Sequence, residues 1–92
     1  MLYHVKMDVS IPRDIAVDEI EAIKAAEKKR ATELQESGKW PHLWRIVGQY
    51  SNISILNVDN NDELHALLSS LPLFPFMTIQ VTPLAKHPSS IV

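Results

Sequence analysis

The feature that most constrains the fold of this chain is a helical segment with a carboxylate on its apolar side. Between Asp18 and Ser37, residues three or four positions apart form one helical face, whose members are Ile20, Ile23, Glu27, Ala31 and Leu34. Asp18 followed by Glu21 resembles a capping box, and Gly38 supplies a stop. The sequence therefore predicts a long amphipathic helix that packs against another layer.

Glu27 is the anomalous member of this face. An ionised carboxylate is costly to bury unless it has a partner or a chemical role. Lys24 lies three residues before it, at the spacing of neighbours on a helix surface. The residues alone leave two interpretations open: a solvated surface pair with Lys24, or a carboxylate kept in an apolar site for its chemistry.

Four stretches alternate with the period of a β-strand: Leu2–Val9, Leu43–Tyr50, Ile53–Val58 and Met77–Thr82. Ser51 and Asn52 are predicted to form the short turn between the second and third strands. That tight connection makes those two strands an antiparallel hairpin. Pro83 is predicted to end the last strand.

A second helix is predicted after Asn60, which is followed by Glu63 in another capping pattern. Its apolar stripe consists of Leu64, Leu67, Leu68 and Leu71, and Pro72 ends it. The order strand, helix, strand, strand, helix, strand is typical of the ferredoxin-like α+β fold, a four-stranded antiparallel sheet with two helices on one face. A single domain over residues 1–92 is expected.

The second predicted strand carries apolar side chains on both of its faces, with Leu43 on one and Trp44 on the other. The helices can cover only one of these faces. A second copy packed sheet to sheet would cover the remaining face, so the sequence favours a dimeric α+β barrel.

Composition excludes several classes of function. The chain has no cysteine, which removes thiolate catalysis, disulfides and cysteine-based metal sites. Its formal net charge of −2 does not indicate a nucleic-acid partner. No apolar run reaches the ~20 residues of a membrane-spanning helix, and the amino-terminal segment is not a signal peptide, so a cytoplasmic location with no membrane partner is predicted. The four histidines lack ligand spacing, so no metal site is expected.

Four segments also carry a family resemblance: Met1–Met7, Lys24–Lys28, His42–Ile46 with Gly48 and Tyr50, and Leu71–Met77 with the tail His87–Ile91. In this order and at these distances they resemble the muconolactone isomerase family of the catechol branch of bacterial aromatic degradation. The likeness covers nearly the whole chain. The departures are Pro41, where a polar residue is expected, and the short tail that ends at Val92.

The resemblance implies an activity and an assembly. The activity is the conversion of muconolactone, a small lactone, to 3-oxoadipate enol-lactone by a 1,3-proton shift through a dienolate, with no cofactor. The assembly is a homo-oligomer of ferredoxin-like subunits, dimers built into a decamer, with pockets at subunit contacts.

This chemistry assigns roles to residues. Glu27 is expected to be the catalytic base, and Lys24 to polarise the carbonyl or hold the substrate carboxylate. Arg45 is a candidate for binding that carboxylate, and Tyr50 and His4 are candidate donors to the enolate oxygen. The pocket wall is expected to contain Trp44, Phe74, Phe76 and Met77.

Each assignment has a structural rival. Arg45 could bridge subunits, His4 could be an ordinary strand histidine, and Tyr50 could simply satisfy its hydroxyl. Trp44 and the Leu71–Met77 stretch could belong to the core or an interface. At the level of function, the rivals are an enzyme for chlorinated or methylated muconolactones, a non-catalytic ligand-binding or assembly module, and a cofactor-free oxygenase on the same barrel.

Overall fold

A computed structural model describes residues 1–92 as four strands and two α-helices in the predicted order, with one 3₁₀ turn. The elements are β1 (Leu2–Val9), α1 (Val17–Glu36), β2 (His42–Arg45), β3 (Ser51–Asn57), α2 (Asn61–Ser69), the 3₁₀ turn Phe74–Phe76, and β4 (Met77–Leu84). The strands form one antiparallel sheet in the order β2-β3-β1-β4. The prediction of a ferredoxin-like βαββαβ fold is confirmed.

Both helices pack on the same face of the sheet. The alternation of β1 directs Tyr3, Val5 and Met7 to that face, where all three are fully buried. Leucines from both helices and the connection after α2 complete this core: Leu34, Leu64, Leu67, Leu68 and Leu71. The central strand β1 thus anchors both helices to the sheet.

The connection between β2 and β3 differs from the prediction. β2 ends at Arg45 and β3 already begins at Ser51, so the predicted strand is too long and the predicted turn is misplaced. Gly48 adopts a φ of +78°, which glycine tolerates and other residues rarely do. The Gln49 N–H donates to the Ile46 carbonyl at 3.1 Å, and the Ile46 N–H donates to the Ser51 carbonyl at 3.0 Å. The chain therefore turns through a loop over residues 46–50.

The two helices begin differently. Ala16 occupies the cap position of α1 and makes no side-chain bond, while Asp18 accepts the N–H of Glu19 inside the first turn. The capping role predicted for Asp18 is therefore wrong, because its carboxylate bonds to its immediate neighbour. At α2 the prediction is confirmed, since Asn60 Oδ1 accepts the Glu63 N–H at 2.8 Å.

The prediction that Pro83 ends the last strand is also wrong, because β4 continues through it to Leu84. β4 lies at the edge of the sheet. A proline without an N–H is tolerated in an edge strand because one side of that strand has no partner to bond.

Candidate functional site

A cavity of about 460 Å³ lies between α1 and the end of the sheet where β1 finishes and β3 begins. Five of the residues predicted from the sequence line it: Lys24, Glu27, Arg45, Tyr50 and Met77. The rest of the wall comes from Met7, Val9, Lys28, Ala31, Trp40, Leu43, Ser51, Asn52 and Leu73. The structure therefore brings the expected base and the expected cations to one site.

Strand pairing explains which strand residues reach this cavity. Directly paired residues of an antiparallel sheet project from the same face. Met7 pairs with Asn52, and Asn52 pairs with Arg45, so all three share the face that α1 covers. Val9 pairs with Met77 on that same face.

The same register directs His4 and Trp44 to the opposite face of the sheet. His4 pairs with Ile55, and Trp44 pairs with Ile53. Trp44 and Ile53 are the immediate neighbours of Arg45 and Asn52, so their side chains project from the other face. Trp44 is 66% exposed there. Within one chain, these two residues do not meet Glu27, unlike the arrangement expected from the sequence.

Phe74 and Phe76 also lie outside the cavity wall. Both belong to the 3₁₀ turn before β4 and are half-buried. Phe74 packs against the core and meets the ring of His65 edge to face, with 6.4 Å between ring centroids. Of the four residues expected to form the pocket wall, only Met77 does so in this chain.

Glu27 is half-buried and held by the main chain. Its Oε1 atom accepts the N–H of Leu73 at 2.8 Å. Burial removes water from the charged form and raises the pKa of Glu27, and the hydrogen bond from Leu73 opposes this in part. The ion pairs of the chain are Lys6–Asp8, Arg30–Glu33 and Lys39–Glu63, so the surface pair of Glu27 with Lys24 is not formed.

Lys24 instead reaches over the ring of Tyr50. Its Nζ atom lies 5.9 Å from the ring centroid, and the Arg45 guanidinium carbon lies 5.5 Å from the same centroid. Both distances fall within cation–π range. With Lys28, the wall carries three cationic side chains against one carboxylate. A small anion with an acidic C–H bond would find both countercharge and a base in this site.

The sequence did not indicate two parts of the site. The Leu73 contact comes from a main-chain N–H, which has no signature in residue type; the only hint is the proline-flanked run 72–75. Trp40 is buried, and its indole N–H has no hydrogen-bond partner. Its position between Gly38 and Pro41 suggested only a connection between elements.

Comparisons with known proteins identify the family of this chain. The family model described as muconolactone delta-isomerase matches residues 1–90. The chain is 59% identical over 91 residues to the muconolactone delta-isomerase of Cupriavidus pinatubonensis, covering 99% of each chain. It is 58% identical to muconolactone delta-isomerase 1 of Acinetobacter lwoffii, covering 99% of this chain and 95% of the relative. A crystal structure of muconolactone isomerase superposes with a TM-score of 0.94 at 49% identity, covering 100% of this chain and 96% of that one.

Proposed function

Because the chain belongs to the muconolactone delta-isomerase family, we propose that Glu27 is the base of its cofactor-free 1,3-proton shift. The protein is an isomerase, and the proposed reaction converts muconolactone to 3-oxoadipate enol-lactone. Glu27 removes the proton from the ring carbon that bears the ring oxygen. The same carboxyl group returns a proton to the carbon next to the lactone carbonyl, so the double bond moves without gain or loss of electrons.

The observation that carries this proposal is the environment of Glu27. A carboxylate in water is a weak base, and partial burial raises its pKa and so makes the ionised form more basic. Its position in the cavity wall gives a bound lactone access to the carboxylate. One group can serve both steps, because the two carbons belong to one ring and are separated by a single atom.

The cations supply the other half of the proposed mechanism. Lys24 polarises the lactone carbonyl and stabilises the dienolate oxygen as negative charge develops. Arg45 binds the substrate carboxylate, for which a planar guanidinium is suited. Tyr50 keeps these two cations beside its ring and is a candidate donor to the dienolate.

The experiment that tests the function is direct. The purified protein is mixed with muconolactone in deuterated water, and double-bond migration and deuterium uptake are followed by NMR. Conversion to the enol-lactone is expected. Binding without conversion would favour a non-catalytic ligand-binding module on the same fold.

The same assay resolves the identity of the substrate. Muconolactone and its methyl- or chloro-substituted relatives are compared by kcat/KM. A pocket that differs by one small substituent discriminates by about 10- to 200-fold, and the proposal expects the unsubstituted lactone to be preferred.

The proposed assembly is a homo-oligomer of dimers, arranged as a decamer. The dimer is supported by the sheet face opposite the helices, where Trp44 is exposed and Ile53 and Ile55 are only half-buried. The decamer is what the family resemblance implies. We assign His4 and Trp44 to that subunit contact. Light scattering on the purified protein measures the subunit number.

No helix here has the length and apolar character needed to cross a bilayer, and the cytoplasm is the proposed location.

A further inference from the structure

The side chain of Glu27 has one hydrogen-bond donor, and that donor is a backbone group. Leu73, 46 residues further along the chain, donates its N–H to Oε1 at 2.8 Å. No side chain of the protein donates to either oxygen of Glu27, and no cation lies within ion-pair distance of it. The two carboxylate oxygens are therefore inequivalent, because Oε1 is held and Oε2 is not.

The direction of this N–H is set by a tightly bonded connection between α2 and β4. The Phe74 N–H donates to the Leu71 carbonyl at 2.9 Å, and the Phe76 N–H donates to the Leu73 carbonyl at 2.9 Å. The side chains of Leu71 and Leu73 are both buried in the core. The donor therefore belongs to an ordered turn and cannot rotate away as a side-chain donor could.

The prolines of this segment leave little choice of donor. Pro72 and Pro75 have no N–H, and the Phe74 N–H is used inside the turn. Within residues 72–75, the N–H of Leu73 is thus the one donor directed at another element.

We infer that the main-chain N–H of Leu73 is a positioning group for the isomerase reaction, holding Oε1 of Glu27 so that Oε2 takes and returns the proton. This inference rests on the proposed role of Glu27 as the base. A carboxylate anchored at one oxygen keeps the other in a fixed place while the proton travels between two ring carbons. Positioning of this kind contributes to rate because the reacting atoms need no further ordering.

The N–H of Leu73 also affects the protonation of Glu27. The charged or titratable groups that share its cavity are Lys24 and Lys28 on α1, Arg45 on β2, and Tyr50 in the loop before β3. β1 and β4 contribute only Met7, Val9 and Met77, which do not titrate. The Leu73 hydrogen bond favours the ionised form, so its removal raises the pKa of Glu27.

The test removes this one donor and leaves every side chain in place. In the full-length protein, Leu73 is replaced by its α-hydroxy acid analogue, which converts the amide N–H to an ester oxygen. We expect kcat to fall by about 10-fold or more, with a smaller change in KM. The acid limb of the kcat/KM profile should move to higher pH, because a base must be ionised to act. An unchanged kcat with an unchanged acid limb overturns the inference.

A matched control uses the same building block two residues earlier. The α-hydroxy acid analogue at Leu71 removes its N–H bond to the Leu68 carbonyl, 3.1 Å in length, in the same connection. It leaves the bond to Glu27 intact. We expect the Leu71 ester to lose about as much thermal stability as the Leu73 ester. Its acid limb should stay at the pH of the unmodified protein. An equal shift of the acid limb in this control would assign the effect to the turn in general and overturn the inference.

A second measurement needs no ester variant. In protein labelled with ¹⁵N-leucine, the amide proton of Leu73 should shift as Glu27 ionises, and this titration should vanish in Glu27→Gln. A Leu73 amide that ignores the titration of Glu27 contradicts the inference even if the ester protein does not fold.

The outcomes separate the two proposals. If Glu27→Gln retains full turnover, Glu27 is not the base, and Leu73 then has no base to position. If Glu27→Gln is inactive but the Leu73 ester behaves as the unmodified protein, Glu27 is still the base. Only the positioning role of Leu73 is then refuted.

Discussion

Two glutamates on the two helices show how differently one side chain behaves in one small protein. Glu27 lies midway along α1, half-buried, with a single hydrogen bond from Leu73. Glu63 lies in the first turn of α2, where it accepts the Asp59 N–H at 3.2 Å and pairs with Lys39 at 3.3 Å. Burial raises the pKa of Glu27, whereas hydrogen bonds and the nearby cation lower the pKa of Glu63.

The difference lies in what replaces the water that each carboxylate loses. Glu63 is also only partly exposed, but it gains an N–H, a lysine and the positive end of a helix dipole, so its ionised form is favoured. Glu27 loses water and gains one N–H, which is insufficient compensation. A carboxylate such as Glu63 stabilises the start of a helix, and one such as Glu27 is suited to take a proton.

The largest expected effect comes from neutralising the two carboxylates in turn. Glu27→Gln should lower kcat by about 10²- to 10⁴-fold, the usual contribution of a general base, while folding is retained. Glu63→Gln should leave kcat near that of the unmodified protein, because Glu63 does not line the cavity. Steady-state kinetics on both variants measures this, and near-normal turnover by Glu27→Gln would end the assignment of the base.

A smaller effect is expected from the cation beside the base. Lys24→Met should raise KM or lower kcat by about 10-fold, since a charge-assisted hydrogen bond contributes ~1.5–3 kcal/mol. Lys29→Met is the matched control, because Lys29 lies on the exposed side of α1 and outside the cavity wall. Equal kinetics for both variants would make Lys24 an ordinary solvated lysine.

The next effect concerns stability at the two helix starts. Asn60→Ala removes the cap that bonds the Glu63 N–H and should lower the free energy of unfolding by about 1 kcal/mol. Asp18→Ala should change it by only a few tenths of a kcal/mol, because Asp18 does not cap α1. Urea unfolding followed by circular dichroism measures the free energy of unfolding of both variants. A larger loss for Asp18→Ala than for Asn60→Ala would contradict the assignment of the two helix caps.

The smallest effect is the pH dependence of stability. The raised pKa of Glu27 means that the folded state holds its proton more tightly, so stability falls as pH rises from the ordinary glutamate pKa through the raised one. The lowered pKa of Glu63 has the opposite sign, and its contribution is lost as pH falls through the lowered value. Unfolding measured over about pH 3 to 8 should show each slope disappear in the corresponding glutamine variant.

The order of the elements could be deduced from the sequence alone, and so could the Asn60 cap and the position of Glu27 on the apolar face of α1. These features are local. A helical or strand period, a capping side chain and a stop at Gly38 depend on residues a few positions apart, so they can be deduced without knowledge of the rest of the fold.

Three features became visible only in the folded chain: the loop over residues 46–50, the placement of His4 and Trp44 on the open face of the sheet, and the Leu73 donor to Glu27. Strand register sets the loop, because the pairing of β2 with β3 determines where the hairpin closes. It also sets the face of His4 and Trp44, because a shift of one residue moves a side chain from the covered face to the open one. The third depends on where a backbone N–H points after the chain has packed. Residue types do not encode that direction, which arises when two segments 46 residues apart meet in the core.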